Sequence, residues 1–577
     1  MMTLRERGLL AAGALLLATT GLALVATAPQ RSATGTAEPT ATPATDVLRE
    51  GVVGTITTLD PLYASDPAEQ DAVALLFRGL TRLGADGTIE PDIAESWVTS
   101  ADGRTWTFQL RDDVRWEDGQ PLTADDVTFT ILTLQHPDYD GPLGRPWRDV
   151  VVQRLGRYEV RFELGTALGS FLAATRQPIV PAHVLAAIPV AKRRAASFGT
   201  RPVGSGPFRL AALEAGVARL VRLGPPPGGG PPVLPVDPLA TLLPRTPAPT
   251  LPGLPRPELS GIDLRTYATP LAAADAFRAG DLDAVGGLPA AIVAELARLP
   301  GVRRIDYPTT VLTAVVFNLR DAASPFRDVR ARRALLAAID RSSIVATVLG
   351  GAAIVADVPI PPSSIFHDAG AAEPELYDPP ASAALLTAAG WKQNAGAWSA
   401  PGGGAPAHFE VVTLDAVTNP TLNSVATRVV AGWAALGVAA DLTGLGPAEL
   451  FEGRLLPHEF EVAIIDMNLG NDADLVPLLA SSQAALGGAN LAGYQSTKLD
   501  DLLSAAQGPA DGATRRARFV ALAASLAIDL PFLTLYFAER VELVRERLQG
   551  PVPREIGPDS DRFWDVLTWH LAGTPAP

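Results

Sequence analysis

The residue types that most often carry catalysis or bind metals are sparse in this sequence. There is no cysteine, which excludes thiolate nucleophiles, thiolate metal sites, iron–sulfur clusters and disulfide bonds. No two histidines have the H-E-x-x-H spacing of a zinc protease. The histidines are His136, His183, His367, His408, His458 and His570. We therefore expect no metal site, although nickel carried by a small chelator stays open as a ligand.

Serine chemistry is also poorly supported by the sequence. No G-x-S-x-G nucleophile elbow is present, and Gly204-Ser205-Gly206 is interpreted as a turn before a strand. A spatial triad is not visible in a sequence, so an exported hydrolase is the third and least favoured hypothesis. The sequence therefore gives little support for an enzyme, and it indicates no catalytic residues and no cofactor.

The bulk composition is that of a large globular protein. With 577 residues, the chain has room for several domains or lobes. Hydrophobic residues make up 47% and charged residues 19%, which is compatible with large buried cores. The formal net charge of -15 argues against nucleic-acid binding, since contacts with phosphates require clustered Lys and Arg.

The N-terminus has the pattern of an export signal. Arg5 and Arg7 precede the apolar run Gly8–Ala28, which ends in the small-x-small pattern of a cleavage site. An uncleaved membrane anchor is the alternative, because the run is long enough to span a bilayer. Either way the rest of the chain lies outside the cytoplasm, and without cysteine it is not a lipoprotein. Residues 29–46, rich in Thr, Pro and Ala, are predicted to be a flexible linker.

Strand-like and helix-like segments alternate along the remaining chain, which indicates an α/β fold with mixed sheets. The predicted strands include Val217–Leu223, Gly261–Tyr267, Phe409–Leu414, Val438–Leu442 and Phe460–Ile465. The predicted helices include Thr269–Ala279, Pro325–Ile339 and Leu422–Leu436. Residues 224–257 hold many prolines and are interpreted as a surface insertion, with a partner-binding polyproline segment as the alternative.

The stretch from Trp106 to Thr130 combines a strand, a turn and a helix start. Apolar Trp106, Phe108 and Leu110 alternate with polar residues, as in a half-buried strand. A tight turn is predicted at Asp118-Gly119, and Thr123 is predicted to cap a helix with Asp126 in a capping box. These acids therefore have folding roles.

This region also carries a family resemblance. AESWVTSADGRTWTFQLRDDVRWEDGQPLTADDVTFT, residues 94–130, resembles the signature of the family 5 extracellular solute-binding proteins of ABC importers, the oligopeptide-, dipeptide- and nickel-binding type. Further matches keep their order along the chain. They are LDPLYASD (59–66), LLFRGLTRLGADGTIEPDIAESW (75–97), GSGPFRL (204–210), AFRAGDLDAV (276–285), residues 315–345, LLTAAGW (385–391) and FEVAII (460–465).

The resemblance implies a two-lobed periplasmic-binding-protein-like α/β fold of type II, the large peptide-binding class, with an extra subdomain in lobe 1. The first part of lobe 1 is expected at 47–75, the subdomain at 76–195, and the continuation, including the insertion, at 196–264. Lobe 2 is expected at 265–485, and the C-terminal part of lobe 1 at 486–577. The segment 1–28 precedes them as a signal peptide or anchor.

The function implied by the resemblance is capture of a peptide-like or other small polar solute in the cleft between the lobes. A monomer would then deliver the solute to permease subunits in the membrane. A ligand sensor of the same fold, which signals without transport, is the alternative.

Positions of the ligand site are carried over from the family, with one departure. In peptide-binding members, Gly-Trp and a later Asp follow the FEVAII-like strand, and that Asp pairs with the peptide amino group. Here Asp466-Met467 replaces Gly-Trp, and Gly470 stands at the place of the Asp. Asp472 and Asp474 are out of register. The predicted ligand-binding residues are Thr55, Thr57, Tyr307, Thr309, Thr310, Asp466, Met467 and Asn468.

Each of these positions also has a structural interpretation. The Thr hydroxyls would hydrogen-bond backbone at strand ends. Asp466 would cap the loop after its strand, and Met467 would pack in the core. Because a buried cation needs a paired charge, loss of the family Asp makes free peptides less favoured ligands, unless Asp466 takes over the pairing.

Overall fold

The computed structural model describes residues 46–85, 87–165, 171–223, 255–470, 474–508 and 512–573. The predicted export segment, residues 29–45 of the linker, residues 224–254 of the insertion and Asp472 lie outside the described residues. Within the described ranges, no helix combines the length and apolar character needed to span a membrane.

The described strands cover short and long segments from one end of the folded chain to the other. They are β1 Val47–Val53, β2 Thr81–Leu83, β3 Ile89–Pro91, β4 Ala94–Thr99, β5 Thr105–Leu110, β6 Val150–Gly156, β7 Glu159–Leu164, β8 Phe208–Glu214, β9 Val217–Arg222, β10 Gly261–Tyr267, β11 Ala284–Gly286, β12 Val302–Phe317, β13 Ala353–Val355, β14 Lys392–Asn394, β15 Ala397–Ser399, β16 His408–Leu414, β17 Ala439–Leu445, β18 Val462–Asn468, β19 Leu533–Arg545, β20 Leu548–Gln549 and β21 His570–Leu571.

The described α-helices alternate with strands along much of the chain. They are α1 Pro67–Leu76, α2 Ala124–Leu134, α3 Phe171–Ala174, α4 Ala182–Leu185, α5 Val190–Arg193, α6 Pro270–Ala279, α7 Ala290–Leu296, α8 Val329–Ala337, α9 Arg341–Thr347, α10 Pro379–Ala388, α11 Pro420–Leu436, α12 Pro447–Leu450, α13 Val476–Leu479, α14 Thr497–Gln507 and α15 Gly512–Asp529. Short 3₁₀ segments include Pro325–Arg327 and Asp559–Thr568.

The described strands form one long sheet and several small ones, and the two central strands of the long sheet contribute to both of its halves. Its strand order is β17-β16-β18-β12-β19-β11-β1-β10-β9-β8, with β13 added to β19. The two central strands, β12 and β19, are 16 and 13 residues long and pair antiparallel. Their register shifts between Pro308 and Leu312, so the pairing is irregular at the midpoint.

Two separate sets of hydrophobic cores lie on either side of that irregularity. Ile305 and Tyr307 of β12 and Val544 of β19 pack in the core that also contains Leu48 and Phe108, and Leu543 of β19 packs in a smaller core beside it. Further along β12, Leu312 and Phe317 pack with cores that contain Trp433 and Phe519. We call the first set lobe 1 and the second set lobe 2. The fold is therefore mixed α/β with two lobes, as the resemblance implied.

The hydrophobic cores place some segments in a different lobe from the one predicted. Strands β10 and β11 with α6 pack in lobe 1, although lobe 2 was expected to begin at 265. Helices α14 and α15 pack in lobe 2, although the return to lobe 1 was expected at 486. Within the part of the chain that the structure describes, β12 and β19 are the strands that have residues in the cores of both lobes. Long continuous strands give no boundary signal in composition.

The subdomain of lobe 1 follows the prediction at its central strand and helix start. β5 lies in a sheet of order β4-β5-β7-β6, and Trp106, Phe108 and Leu110 are buried while their neighbours are partly exposed. Thr123 and Asp126 form the capping box of α2. Gly119 has φ of +89°, which the predicted turn requires.

Two predicted elements differ from the structure in ways that bear on the site. The strand predicted at Phe460–Ile465 is β18, Val462–Asn468, so Asp466 and Asn468 lie inside a strand rather than in a loop. The helix predicted at Leu422–Leu436 begins at Pro420 with Asn419 as its N-cap, which places Asn419 beside β18. β18 extends to Asn468 because it pairs with β12. The sequence of one strand does not show which other strand pairs with it.

Candidate functional site

The polar residues predicted on β12 lie where this strand passes from lobe 1 to lobe 2. Thr309 Oγ1 donates to the Ala538 carbonyl at 2.7 Å and accepts from the Val311 amide at 3.2 Å. Thr310 Oγ1 donates to Asn468 Oδ1 at 2.8 Å. The hydroxyl of Thr309 thus satisfies backbone groups at the irregularity, and that of Thr310 joins β12 to β18.

A third segment meets the crossing strands at the same level. The Ile556 amide donates to the Pro308 carbonyl at 2.9 Å, and the Thr310 amide donates to the Ile556 carbonyl at 3.3 Å. One residue earlier, Glu555 Oε2 accepts a hydrogen bond of 2.6 Å from Ser363 Oγ of lobe 2. Ile556 itself packs in the main core of lobe 1. The segment around Ile556 therefore hydrogen-bonds to β12 where this strand passes between the lobes.

Asp466 lies on β18 and is exposed to solvent. Its Oδ1 accepts from Thr313 Oγ1 at 2.6 Å, and its Oδ2 accepts from Asn419 Nδ2 at 3.5 Å. No cationic side chain of the described residues forms an ion pair with it. Although the side chain is accessible to solvent, the protein atoms that surround the carboxylate reduce its hydration and raise its pKa, which the hydrogen bonds from Thr313 and Asn419 oppose. Asp466 is therefore a carboxylate that can accept further hydrogen bonds and has no positively charged partner among the described residues.

The two residues after Asp466 have different surroundings. Met467 is buried in the same core as Leu312, Phe366 and Phe519, which matches its structural interpretation. Asn468 is exposed, and its Oδ1 also accepts from the Gly470 amide at 3.0 Å. Asp466 caps no loop amide among the described residues, so its structural interpretation is not supported. Thr310, Asp466 and Asn468 thus form one polar group beside the crossing.

Thr55 and Thr57 lie in the loop between β1 and α1, and both are exposed. Thr55 donates to Asp66 Oδ2 from its amide at 3.1 Å and from its hydroxyl at 3.3 Å. Thr57 donates to Glu69 Oε1 from its amide at 2.9 Å and from its hydroxyl at 2.6 Å. Both threonines fasten the loop to the N-terminus of α1. Among the described residues, no hydrogen bond joins them to Thr310, Asp466 or Asn468.

Tyr307 is only 1% exposed and packs in the core of lobe 1, where burial raises its pKa. Close to it lies a buried ionic cluster that the sequence did not reveal. Arg562 donates to Asp71 Oδ1 at 2.6 Å and to Glu50 Oε1 at 3.1 Å, and it lies 3.8 Å from Glu542. These residues come from α1, β1, β19 and the C-terminal 3₁₀ segment, so the cluster ties the first and last parts of lobe 1 together.

Lobe 1 also contains a cavity of ≈ 420 Å³ that the sequence did not predict. It is lined by Phe77 and Arg78 at the end of α1, by Arg176, and by the C-terminal residues Arg554 and Trp564. A volume of this size suits a small molecule. The three segments that line the cavity are far apart in the chain, and a single arginine in a sequence does not indicate a binding site.

No group of three or more His, Asp or Glu residues suited to a metal ion occurs within the described ranges. The polar groups at the crossing are instead hydrogen-bond donors and acceptors on β12 and β18. Polar groups at the junction of two lobes are typical of proteins that bind a ligand between lobes.

Comparison with known proteins identifies the family. The model of the bacterial extracellular solute-binding proteins, family 5 (middle region), matches residues 88–484, more than half of the chain. The chain belongs to this family of extracytoplasmic solute-binding proteins of ABC importers. Its members are binding proteins, so the chain is a binding protein and not an enzyme.

Relatives within the family bind different ligands. The chain is 25% identical to the oligopeptide-binding protein AppA of Bacillus subtilis (strain 168) over 528 residues, covering 90% of this chain and 91% of that protein. It is 25% identical to the nickel-binding periplasmic protein of Escherichia coli (strain K12), covering 73% and 76%. The crystal structure of NikZ from Campylobacter jejuni with Ni(L-His) has a TM-score of 0.68 at 23% identity, covering 91% and 99%.

Proposed function

We propose that this chain is the solute-binding component of an ABC importer. It captures a peptide-like or other small polar solute in the cleft between its lobes and delivers it to a permease in the membrane. The names of the relatives supply the candidate classes, since one is an oligopeptide-binding protein and the other binds nickel.

The observation that carries this proposal is the crossing of β12 and β19. Two lobes with separate cores share these strands, and the register shift between Pro308 and Leu312 lies at the midpoint. An irregular pairing bends more readily than a regular ladder, so it is a natural hinge. Polar groups next to a hinge contact a solute held by both lobes, and such contacts favour the closed arrangement.

Asp466 gives the lobe 2 side of the cleft its charge. It is an ionisable carboxylate whose partners are one hydroxyl and one amide, at 2.6 Å and 3.5 Å. A solute with an amine or another cationic group would supply the missing charge partner, and closure would then bury an ion pair rather than a lone charge. Thr310 and Asn468 would add neutral hydrogen bonds.

The partner and location follow from the same proposal. The chain is exported through its N-terminal segment and works as a monomer outside the cytoplasm, either free or held by that segment. The closed arrangement of the lobes is the form that the permease recognises. No catalytic step is involved, so the energy of solute binding does the work of closure.

A ligand screen tests the proposal directly. Peptides, amino-acid conjugates, sugars and metal chelates are each added to the protein, and its thermal stability and X-ray scattering are measured. A bound solute at 100-fold over its Kd should add about 2.7 kcal/mol to the free energy of unfolding. The radius of gyration should fall with the same solute. Hydrolysis of a screened compound, with no gain in stability from any class, would contradict the proposal.

A further inference from the structure

The walls of the lobe 1 cavity combine aromatic rings with arginines. Phe77, Phe563 and Trp564 supply apolar surface, and Arg176 and Arg554 supply positive charge. A cavity of ≈ 420 Å³ with a few polar groups on apolar walls is typical of sites for small organic molecules. The charges decide what kind of molecule it takes.

The arginines of the cavity are not all balanced by acids. Arg78 Nη1 lies 2.7 Å from Asp92 Oδ1, and Arg176 forms an ion pair with Asp561. These pairs neutralise both acids that line the cavity. Arg554 has no carboxylate within 4.0 Å among the described residues. The cavity therefore has an excess of positive charge at Arg554, in a chain whose net charge is -15.

The contacts of Arg554 leave one edge of its guanidinium free. Nη1 donates to the Gly84 carbonyl, and the ring of Trp564 stacks on the guanidinium with its centroid 4.4 Å from Cζ. Nε and Nη2 are shielded from solvent and have no acceptor among the described residues. Burial lowers the pKa of Arg554 to about 10, so the group is still charged at neutral pH.

The free edge has the geometry of a bidentate anion receptor. The N–H groups of Nε and Nη2 point in parallel from one side of the planar guanidinium, and two oxygens of a carboxylate or phosphate accept them together. A buried guanidinium without such a partner is costly, and a bound oxyanion removes that cost. The apolar rings nearby would contact the carbon skeleton of the same molecule.

We propose that Arg554 binds an oxyanion group, carboxylate or phosphate, of a small acid in the lobe 1 cavity through its Nε and Nη2 atoms. The inference goes beyond the proposed function, since it adds a site for an acid within lobe 1. Because Nε and Nη2 are shielded from solvent, the cavity wall at Trp564 has to move for an oxyanion to reach them, and the fluorescence of Trp564 should change on binding.

Matched pairs of acids and neutral analogues provide the test. The probes are N-acetyl-dialanine with its amide, glutarate with glutaramide, and glycerol 3-phosphate with glycerol, titrated by calorimetry and tryptophan fluorescence. At least one acid should bind wild-type protein tenfold or more tightly than its neutral analogue. Arg554→Met should lose this difference yet keep or raise Tm, because the unpaired cation is removed. Arg554→Lys, which keeps the charge without the bidentate edge, should reduce it.

The control variant is Arg219→Gln, which removes an exposed arginine that pairs with Glu214 at 3.2 Å on the surface. It should bind acids as the wild type does. A lower Tm of Arg554→Met with an unchanged preference for acids would make Arg554 structural and overturn the inference. Equal affinity for the acids and their neutral analogues overturns the inference and leaves the proposed function standing. Failure of every screened solute to bind and close the lobes overturns the proposed function, whatever the result for Arg554.

Discussion

At the scale of single residues, the proposed function makes its sharpest claim at Asp466, which lies on β18 beside the crossing strands. It accepts hydrogen bonds from Thr313 and Asn419, and no cationic side chain of the described residues pairs with it. Under the proposed function, this carboxylate pairs with a cationic group on the solute.

We predict that Asp466→Asn weakens binding of a cationic solute at least tenfold, about 1.4 kcal/mol. The free energy of unfolding should change little, because the amide keeps an oxygen for Thr313. Calorimetry of the solute found by screening gives the affinity, and urea unfolding gives the stability. The control is Asp441→Asn, an exposed acid that pairs with His408 at 3.2 Å on β17. Equal affinity in wild type and Asp466→Asn would leave Asp466 without a role in binding.

The pKa of Asp466 adds a pH dependence to the same interaction. Burial raises this pKa, so the carboxylate becomes neutral at a higher pH than an ordinary aspartate. Affinity for a cationic solute should therefore fall as pH is lowered through that raised pKa, and Asp466→Asn should flatten the profile. A profile that is identical in the two proteins would contradict this assignment.

A second residue-scale prediction concerns the buried cluster around Arg562. Removal of one partner leaves Glu50 and Asp71 as uncompensated buried charges, so Arg562→Met should lower the free energy of unfolding by about 3–5 kcal/mol. Arg219→Gln, which breaks an exposed pair, should cost less than about 1 kcal/mol. Denaturant unfolding of both variants measures the difference. Similar small losses in both would show that the cluster contributes little.

At the scale of elements, strands, turns and helix caps that depend on neighbouring residues could be predicted from the sequence. The alternation around Phe108, the turn at Gly119 and the capping box of Thr123 and Asp126 were predicted and confirmed, because each depends on residues within a few positions. The ends of strands that depend on pairing with a distant strand were not predicted correctly. β18 extends past its predicted end because it pairs with β12.

The candidate site was predictable only in part, for the same reason. The resemblance proposed Thr310, Asp466 and Asn468 as ligand-binding residues. In the structure all three lie where β12 pairs with β18, and their role in binding stays a prediction. The resemblance could not show that Tyr307 faces the core, that Thr55 and Thr57 hold α1, or that Met467 is buried. The lobe 1 cavity and the Arg562 cluster join segments hundreds of residues apart, and no spacing rule connects such residues.

The cap of α2 gives a prediction at the element scale. Thr123 accepts from the amides of the first turn, and Asp126 accepts from the Thr123 amide at 2.9 Å. Thr123→Ala should therefore lower the free energy of unfolding by about 0.5–2 kcal/mol. Thr200→Ala, at an exposed threonine that donates to the Ser197 carbonyl, serves as the control and should cost less. Equal stability of Thr123→Ala and wild type would contradict the capping role.

At the scale of the whole molecule, the stability of lobe 1 should depend on pH. Burial raises the pKa of Asp60 to about 6 from an ordinary 3.8. The folded state thus holds a proton that the unfolded state has released between these values, so stability falls as pH rises, by up to about 1.4 kcal/mol per pH unit. Asp60→Asn should flatten thermal unfolding profiles between about pH 4 and pH 6. An unchanged slope would show that Asp60 is not the cause.

The central claim concerns the lobes as moving bodies, since capture requires them to close on a solute. The absence of cysteine makes the measurement simple, because introduced cysteines are the only sites for thiol labels. Val98 of lobe 1 and Val417 of lobe 2 are 69% and 94% exposed, so Val98→Cys with Val417→Cys should carry spin labels without disturbing either core.

The most direct test is the distribution of distances between these two labels, measured by pulsed electron paramagnetic resonance with and without the solute found by screening. A second pair within lobe 2, at Val417 and Leu486, is the control and should not change. The account predicts that saturating solute moves the Val98–Val417 distribution to a distinct and narrower population. A distribution that is the same with and without bound solute would contradict it.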